Sequence, residues 1–368
     1  MSAAAGTTLA TPLVAPTAVP PVDRSAMDGY AVSGAGPWQL VGVVLAGSAQ
    51  VLELADGQAC TVVTGATVPA GTTEVLPDEE AHAEYDNVHV AHGHALRAGG
   101  RHIRRAGEEC AAGEVLLPAG VRIEPSVLGL AAAVGLDRLT VIPKPRVAAF
   151  VTGDELVPRG ASGPGRVRDA IGPMLPGLIE RSGATCSGVT HLADSRQLLL
   201  DALAGCEAEL ILVSGSSAAG PADHLRAALS ALGAVLVIDG VACRPGHPQA
   251  LARLDDGRLV IGLPGNPLAA LTAFLTLGVA VLHRLRGLPL PRLPVAPIPG
   301  GLAGHPTSTR LVPIRITPDG VVPVGHAGSA MLRGVAAADA LAIIEPGPTT
   351  AIAARLLPLD SGAALWTF

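Results

Sequence analysis

Aromatic residues are scarce: two Trp, two Tyr and three Phe in 368 positions. Proteins that grip single-stranded nucleic acid stack its bases on aromatic faces, so that role is excluded. Charge is also thin, at 15% Asp, Glu, Lys and Arg with a formal net charge of −6. That balance argues against a nucleic-acid coat and leaves room only for a local basic pocket. Lys144 is the sole lysine, which we read as genomic codon bias. The five cysteines, Cys60, Cys110, Cys186, Cys206 and Cys243, are odd in number and form no CxxC pair. Buried thiols in a reducing cytosol fit this pattern; a disulfide framework or zinc knuckle does not. The first residues carry neither the basic nor the apolar stretch of a secretory signal. The longest uncharged run, 259–282, is broken by Pro264-Gly265-Asn266-Pro267. The apolar stretch left, about 15 residues, is expected to be too short for a bilayer. A cytoplasmic protein with no membrane or nucleic-acid partner is expected.

Glycine and proline, by contrast, are abundant, at 45 and 32 residues. They make up about a fifth of the chain against an average near 12%, which implies many turns and short elements. The length suggests two to three domains. Residues 1–20 read as extended. Short β-type runs recur over 38–105, and an Ala/Leu/Val helix is expected over 126–134. From 146 to 286, strand-like and helical runs alternate, with helices expected near 173–182, 195–205, 222–232 and 267–284. Such alternation implies βαβ units and a mostly parallel sheet. Asn266 before Pro267 reads as an N-cap side chain followed by proline at the first helical position. A Pro-rich linker lies near 289–300, and the remainder reads as a small β-barrel or sandwich.

In a doubly wound sheet, ligands bind beyond the carboxyl ends of the strands. The loops there are 152–155, 214–220, 240–248 and 263–267. Their small residues let a ligand approach the backbone, and free helix N-termini suit phosphate. No GxxxxGK[ST] phosphate loop is present, and GASGPG at 160–165 is not a dinucleotide fingerprint. His89, His92 and His94 look like a metal cluster, but residue 89 falls on the opposite strand face from the other two, so a polar surface turn is the expected reading.

Seven segments in order carry a family resemblance: PPVDRSAMDGYAV (20–32), VVTGATVPAGTTEVLPDEEA (62–81), IRRAGEEC with GEVLLPAG (103–120), PRVAAFVTGDELV (145–157), SGSSAAGPADHL (214–225), RPGHP (244–248) and GLPGNPLAA (262–270). On these the chain resembles the molybdopterin molybdenumtransferases, the gephyrin-type enzymes of molybdenum-cofactor synthesis. The resemblance implies a multi-domain α/β plus β fold. An elongated connector would comprise 1–20 and 106–144, and a β domain 21–105. A doubly wound three-layer α/β domain would span 145–288, and a C-terminal β-barrel 289–368. It also implies a homodimer whose cleft lies between the α/β domain of one subunit and the β domain of the other.

The implied reaction inserts molybdate into adenylylated molybdopterin with release of AMP, assisted by Mg²⁺. The molybdopterin adenylyltransferase is a further implied partner. Glu155, Asp223 and Asp28 match the family's catalytic acids, with Glu155 and Asp223 holding the cation. Substrate contacts would fall on Thr64, Asp169, Asp194, Ser214, Gly215, Ser216, Ser217, Arg244, His247, Pro264 and Pro267. Plainer readings stand beside these. Glu155 and Asp223 could be helix-start acids, Asp28 and Thr64 turn residues, and Asp154 a turn or cap residue.

Several positions depart from the family pattern. Residues 215–220 read Gly-Ser-Ser-Ala-Ala-Gly where Gly-Gly-Val-Ser-Val-Gly is usual. Ile171 replaces an Asn, and Ala193 one acid of an Asp pair. His247 replaces a lysine, giving only partial charge near neutral pH and a weaker oxyanion site. The family's N-terminal connector helix is expected to be absent or much reduced. These changes keep open a second function class: a paralogue that binds molybdopterin intermediates or partner enzymes without turnover.

Overall fold

The computed structural model describes residues 1–49, 52–92, 99–215 and 224–359. The chain divides into two compact units, Met1–Val141 and Ile142–Phe368.

The first unit is built on a six-stranded sheet. Its strands are β1 (Gly29–Val32), β2 (Trp38–Val44), β3 (Gln58–Val62), β4 (Glu74–Pro77), β5 (Ala81–Glu84) and β6 (Asn87–Val90). They lie in the order β4-β1-β3-β2-β6-β5. Ala31, Val44, Cys60, Val62 and Val75 form one buried cluster, and Val32, Trp38, Ala59, Leu76 and Val88 a second. Neighbours along β1, β3 and β4 divide between them, as the two-residue period of a strand requires. A third core gathers Leu9, Leu13 and Ile123 with Val127 and Ala131 of α1 (Pro125–Ala133). Proline at the first turn of α1 costs no hydrogen bond, because that N–H would be unsatisfied anyway.

The second unit alternates strand and helix: β7 (Arg146–Thr152), α2 (Leu175–Arg181), β8 (Thr185–Leu192), α3 (Arg196–Gly205), β9 (Leu210–Ser214), α4 (Leu225–Ala231), β10 (Val235–Asp239), β11 (Cys243–Arg244), β12 (Ala250–Arg253) and β13 (Leu259–Leu263). A helical run from Pro267 to Leu285 follows, with α5 (Pro267–Ala273) and α6 (Val279–Leu285) joined by a π-helical turn at Phe274–Gly278. The central sheet runs β8-β7-β9-β13-β12-β10. Its first four strands are parallel, β12 runs antiparallel to β13, and β10 is antiparallel to β12. Along β9, Leu210 and Leu212 pack with α2 and α5, while Ile211 and Val213 pack with α3 and α4. Helices therefore cover both faces, giving the three-layer doubly wound arrangement.

Five more strands follow: β14 (Val295–Ala303), β15 (Thr309–Thr317), β16 (Gly320–Pro323), β17 (Ala340–Ile344) and β18 (Thr350–Pro358). The last sheet is ordered β11-β15-β17-β18-β14, with β16 on β15. Strand β11 thus leaves the α/β segment and pairs in parallel with β15, whereas the sequence reading left 240–248 as a loop.

Two further expectations are corrected. The run Pro267–Leu285 has 19 residues and mean hydropathy 1.8, so it is long and apolar enough to cross a bilayer. Its Pro-Gly-Asn-Pro interruption only marks the start. With 61% of that stretch buried inside the protein, it is accounted for as a core helix. Asn266 does precede α5, but its side chain makes no capping hydrogen bond. The Leu268 and Ala269 N–H groups donate instead to the Ser329 carbonyl at 3.0 and 3.2 Å. This helix N-terminus is therefore not free for an anion, contrary to the expectation for the 263–267 loop.

Candidate active site

Strand β7 passes to β8 on one side, and the chain then returns to β9 on the other. The gap beyond the ends of β7 and β9 is therefore the switch point at which such sheets bind ligands. Thr152 ends β7 and donates from Oγ1 to the Ser214 carbonyl at the end of β9, at 3.0 Å. The strands approach so closely that a Cβ on Gly215 would fall 2.3 Å from the Thr152 carbonyl oxygen, and Gly215 has φ +90°. Only glycine fits there. Ser214 is buried, and its hydroxyl finds no hydrogen-bond partner among the described residues.

Beyond Thr152, the Gly-Asp-Glu loop is held from two sides. Asp154 and Asp194 exchange hydrogen bonds: the Asp194 N–H donates to Asp154 Oδ1 at 3.1 Å, and the Asp154 N–H to Asp194 Oδ2 at 3.2 Å. Arg166 donates to the Asp154 carbonyl at 2.6 Å, and the Val167 N–H to the Glu155 carbonyl at 2.9 Å. Asp154 therefore acts as the turn residue of the plainer reading. Glu155 is exposed, and its carboxylate makes no hydrogen bond or ion pair among the described residues.

Asp169 is placed differently from the other candidates. It is 4% exposed. Its Oδ1 accepts the Ile171 and Gly172 N–H groups at 2.9 and 3.0 Å, and its Oδ2 lies 2.8 Å from His191 Nε2. Oδ1 thus organises the turn into α2, and Oδ2 ties it to His191 on β8. Ile171, where the family carries Asn, is buried against Leu175 and its neighbours in the α/β core.

In the first unit, Asp28 and Thr64 do come together. The Thr64 N–H donates to Asp28 Oδ1 at 2.6 Å, and the Thr64 donors hold the carboxyl below the ordinary aspartate range. Gly29 is required beside it, because a Cβ would sit 2.1 Å from the Leu76 carbonyl oxygen.

Arg244, His247 and Pro264 line one cavity of about 340 Å³ with Cys243, Asn266, Ser308 and Ser329. A neighbouring cavity of about 290 Å³ shares Arg244, Pro245 and Ser329 and adds Arg310. Arg244 and Arg310 are direct partners in the parallel β11–β15 register. Like charges side by side on adjacent strands repel. No carboxylate is among the lining residues of either cavity, and neither guanidinium forms an ion pair among the described residues. Arg310 donates to the Ala303 carbonyl. Two forked cations with serine hydroxyls and no counter-anion make a receptor for an oxyanion.

The loop that forms this wall is held by Gln249, which is fully buried. Its Nε2 donates to the Gly246 carbonyl at 3.0 Å and to Cys243 Sγ at 3.3 Å, and its Oε1 accepts from Thr276 at 3.3 Å. Burial pushes the Cys243 thiol up.

Pro267 sits at the first position of α5. Asp223, Ser216 and Ser217 lie outside the described residues, as does His94. Among the described residues, no group of three His, Cys, Asp or Glu could hold a metal ion. Sequence reasoning missed Arg310, Ser308, Ser329 and Gln249. Their only signal was Ser308-Thr309-Arg310 at the head of a β-type run, and nothing local ties it to Arg244.

Comparison with known proteins agrees with this architecture. Residues 1–135 match the MoeA N-terminal region (domains I and II), 148–284 a probable molybdopterin binding domain, and 296–353 the MoeA C-terminal region (domain IV). A Pyrococcus horikosii molybdopterin biosynthesis protein shares the fold with TM-score 0.80 and 26% identity, over 96% of this chain and 92% of that one. The class is therefore a MoeA-type enzyme fold. The molybdopterin molybdenumtransferase 2 of Mycobacterium tuberculosis is 36% identical over 80% of this chain and 76% of its own length. The Synechococcus elongatus molybdopterin molybdenumtransferase is 34% identical over 71% and 68%. The chain belongs to the molybdopterin molybdenumtransferase family, as its seven motifs imply.

Proposed function

We propose that this protein inserts molybdate into adenylylated molybdopterin and releases AMP. The observation that carries this reading is the Arg244–Arg310 pair, in register and without a carboxylate, walling the cavities shared with Ser329. A dianionic tetrahedral oxyanion relieves the repulsion of two adjacent guanidiniums and accepts their forked donors. Ser308 and Ser329 supply further hydroxyl donors in the same wall.

Glu155, at the switch point, is the described acid for the pyrophosphate side. Mg²⁺ takes one or two carboxylates and fills its shell with water and substrate phosphate. Glu155, an exposed carboxylate without a partner among the described residues, fits that demand, with Asp223 as the second. Bound there, the ion would neutralise charge on the pyrophosphate oxygens. Asp28, kept ionised by Thr64, is the proposed acid of the N-terminal unit. Asp169 is assigned a different task, holding the turn before α2 through Oδ1 and tying it to His191 of β8 through Oδ2.

The test is a single turnover with adenylylated molybdopterin, molybdate and Mg²⁺, reading AMP and active cofactor together. Molybdate-dependent AMP release with cofactor formed is expected, and Glu155→Gln is expected to abolish both while leaving the fold intact. Unchanged turnover in Glu155→Gln removes that residue from the mechanism. Tight substrate binding without AMP release would favour the non-catalytic paralogue, a reading supported by the commitment of both Asp169 oxygens to backbone and His191.

A further inference from the structure

One wall group of the oxyanion cavity does not carry a permanent charge. His247 lines it beside Arg244, and its Nδ1 lies 2.8 Å from the Val241 carbonyl oxygen. A carbonyl only accepts, so Nδ1 must carry the proton. The same carbonyl also accepts the Cys243 N–H at 2.7 Å. Moving the ring proton to Nε2 would set the Nδ1 lone pair against that oxygen. The loop therefore fixes one neutral tautomer, in which Nε2 is the remaining nitrogen and bears a lone pair.

We propose that His247 is a proton-gated ligand of the cavity: it donates to an oxyanion from Nε2 only as imidazolium, and as the neutral ring it opposes the anion. This rests on the oxyanion reading of the cavity and adds its regulation. Molybdate carries no O–H to donate, so the neutral ring gains nothing from it. The charged and titratable groups on the surrounding elements are few. Cys243 and Arg244 lie on the same loop, and Arg310 is on β15. Asp239, at the end of β10, is paired with Arg226. Helix α5 contributes none, since Pro267–Ala273 has no ionisable side chain. Arginine does not titrate in the accessible range and the thiol is buried; His305 and His326 lie on flanking loops but line neither cavity, so among the described lining residues His247 is the proton-dependent ligand.

The experiment is molybdate binding to the full chain by equilibrium dialysis from about pH 6 to about pH 8.5, the range over which an imidazole changes charge. Native protein is expected to bind more weakly as pH rises, by about tenfold per pH unit once the ring is neutral. His247→Lys is expected to bind with a flat profile and to exceed the native protein at the alkaline end. His247→Gln is expected to be flat. A flat native profile with binding retained overturns the gating and leaves the oxyanion reading standing. A native slope that survives in His247→Gln also overturns it, since another group then titrates. If neither native protein nor His247→Lys, both folded by circular dichroism, binds molybdate at any pH, the cavity reading and the gate fall together.

Discussion

Replacing Gln249 by Met tests whether the oxyanion wall is held by one buried amide. Met keeps the length and volume of the side chain and removes its polar atoms, so packing changes little. The loss is confined to three hydrogen bonds, to the Gly246 carbonyl, Cys243 Sγ and the Thr276 hydroxyl. Thr276 keeps its bond to the Thr272 carbonyl at 2.9 Å, so its share is small. The thiol bond is weak. The Gly246 carbonyl is the expensive one, because an unsatisfied buried acceptor costs about 1–3 kcal/mol. Adding a fraction for the other two gives a destabilisation of about 2–4 kcal/mol. At about 2–4 °C per kcal/mol for a unit of this size, the melting temperature should fall by roughly 4–16 °C. Differential scanning calorimetry reads that shift, and molybdate binding should weaken in parallel because the loop carries Arg244 and His247. A loss below about 0.5 kcal/mol with molybdate affinity unchanged would refute the assignment of Gln249 as the anchor, since substitutions away from any such feature fall in that range.

Further expectations concern single positions. Arg310→Ala should weaken molybdate binding about 10- to 100-fold, as removal of a charged hydrogen-bonding partner costs about 1.5–3 kcal/mol; calorimetric titration at fixed ionic strength checks it, and unchanged affinity removes Arg310 from the site. Arg310→Lys should restore it only in part, because the planar fork is lost. Gly215→Ala should cost about 1–3 kcal/mol from its left-handed backbone alone, with further loss from the contact at the Thr152 carbonyl; urea unfolding measures it, and a neutral result refutes the close approach of β7 and β9. The carboxyl of Asp28 should titrate below the ordinary aspartate range by carbon-detected NMR. Because its folded value is depressed, the stabilisation from its Thr64 bond is full above the unfolded value and disappears as pH falls through the folded one. A titration in the ordinary range would contradict the Thr64 contact.

Local chemistry made much of the fold legible. Apolar strand-like runs such as residues 146–152 and 210–214, alternating with helical ones, announce buried parallel strands, and Pro267 marks the start of α5 because a proline suits the first turn. Asp28 and Thr64 each stand out by the family resemblance of their motifs, and one 2.6 Å hydrogen bond joins them. What stayed hidden were pairings between distant segments. Arg244 and Arg310 become neighbours only because a two-residue strand crosses to another sheet, and two residues give no period to detect. Asn266 misled for a similar reason: its capping role is displaced by the Ser329 carbonyl, 63 positions away in the chain. The resemblance implies a substrate contact for Asp169, while its burial and its approach to His191 depend on distant packing that nothing local reveals.

The crossing of β11 into the last sheet also fixes when the site exists. During synthesis, the chain through α6 can bury only part of its α/β core, since Leu311, Val335, Leu341 and Leu357 belong to the same cluster; Arg244 then has no neighbouring strand and α5 has no acceptor for its first N–H groups. Only after β15 and Ser329 have emerged can the cavity close. Oxyanion capture is therefore a property of the completed second unit. A ligand held there draws on the final sheet and the α/β core alike, so binding should raise the cooperativity of their unfolding as well as its midpoint. A chain clipped between α6 and β15 would keep most of its helices and lose its anion receptor, a separation of fold from function written into the connectivity.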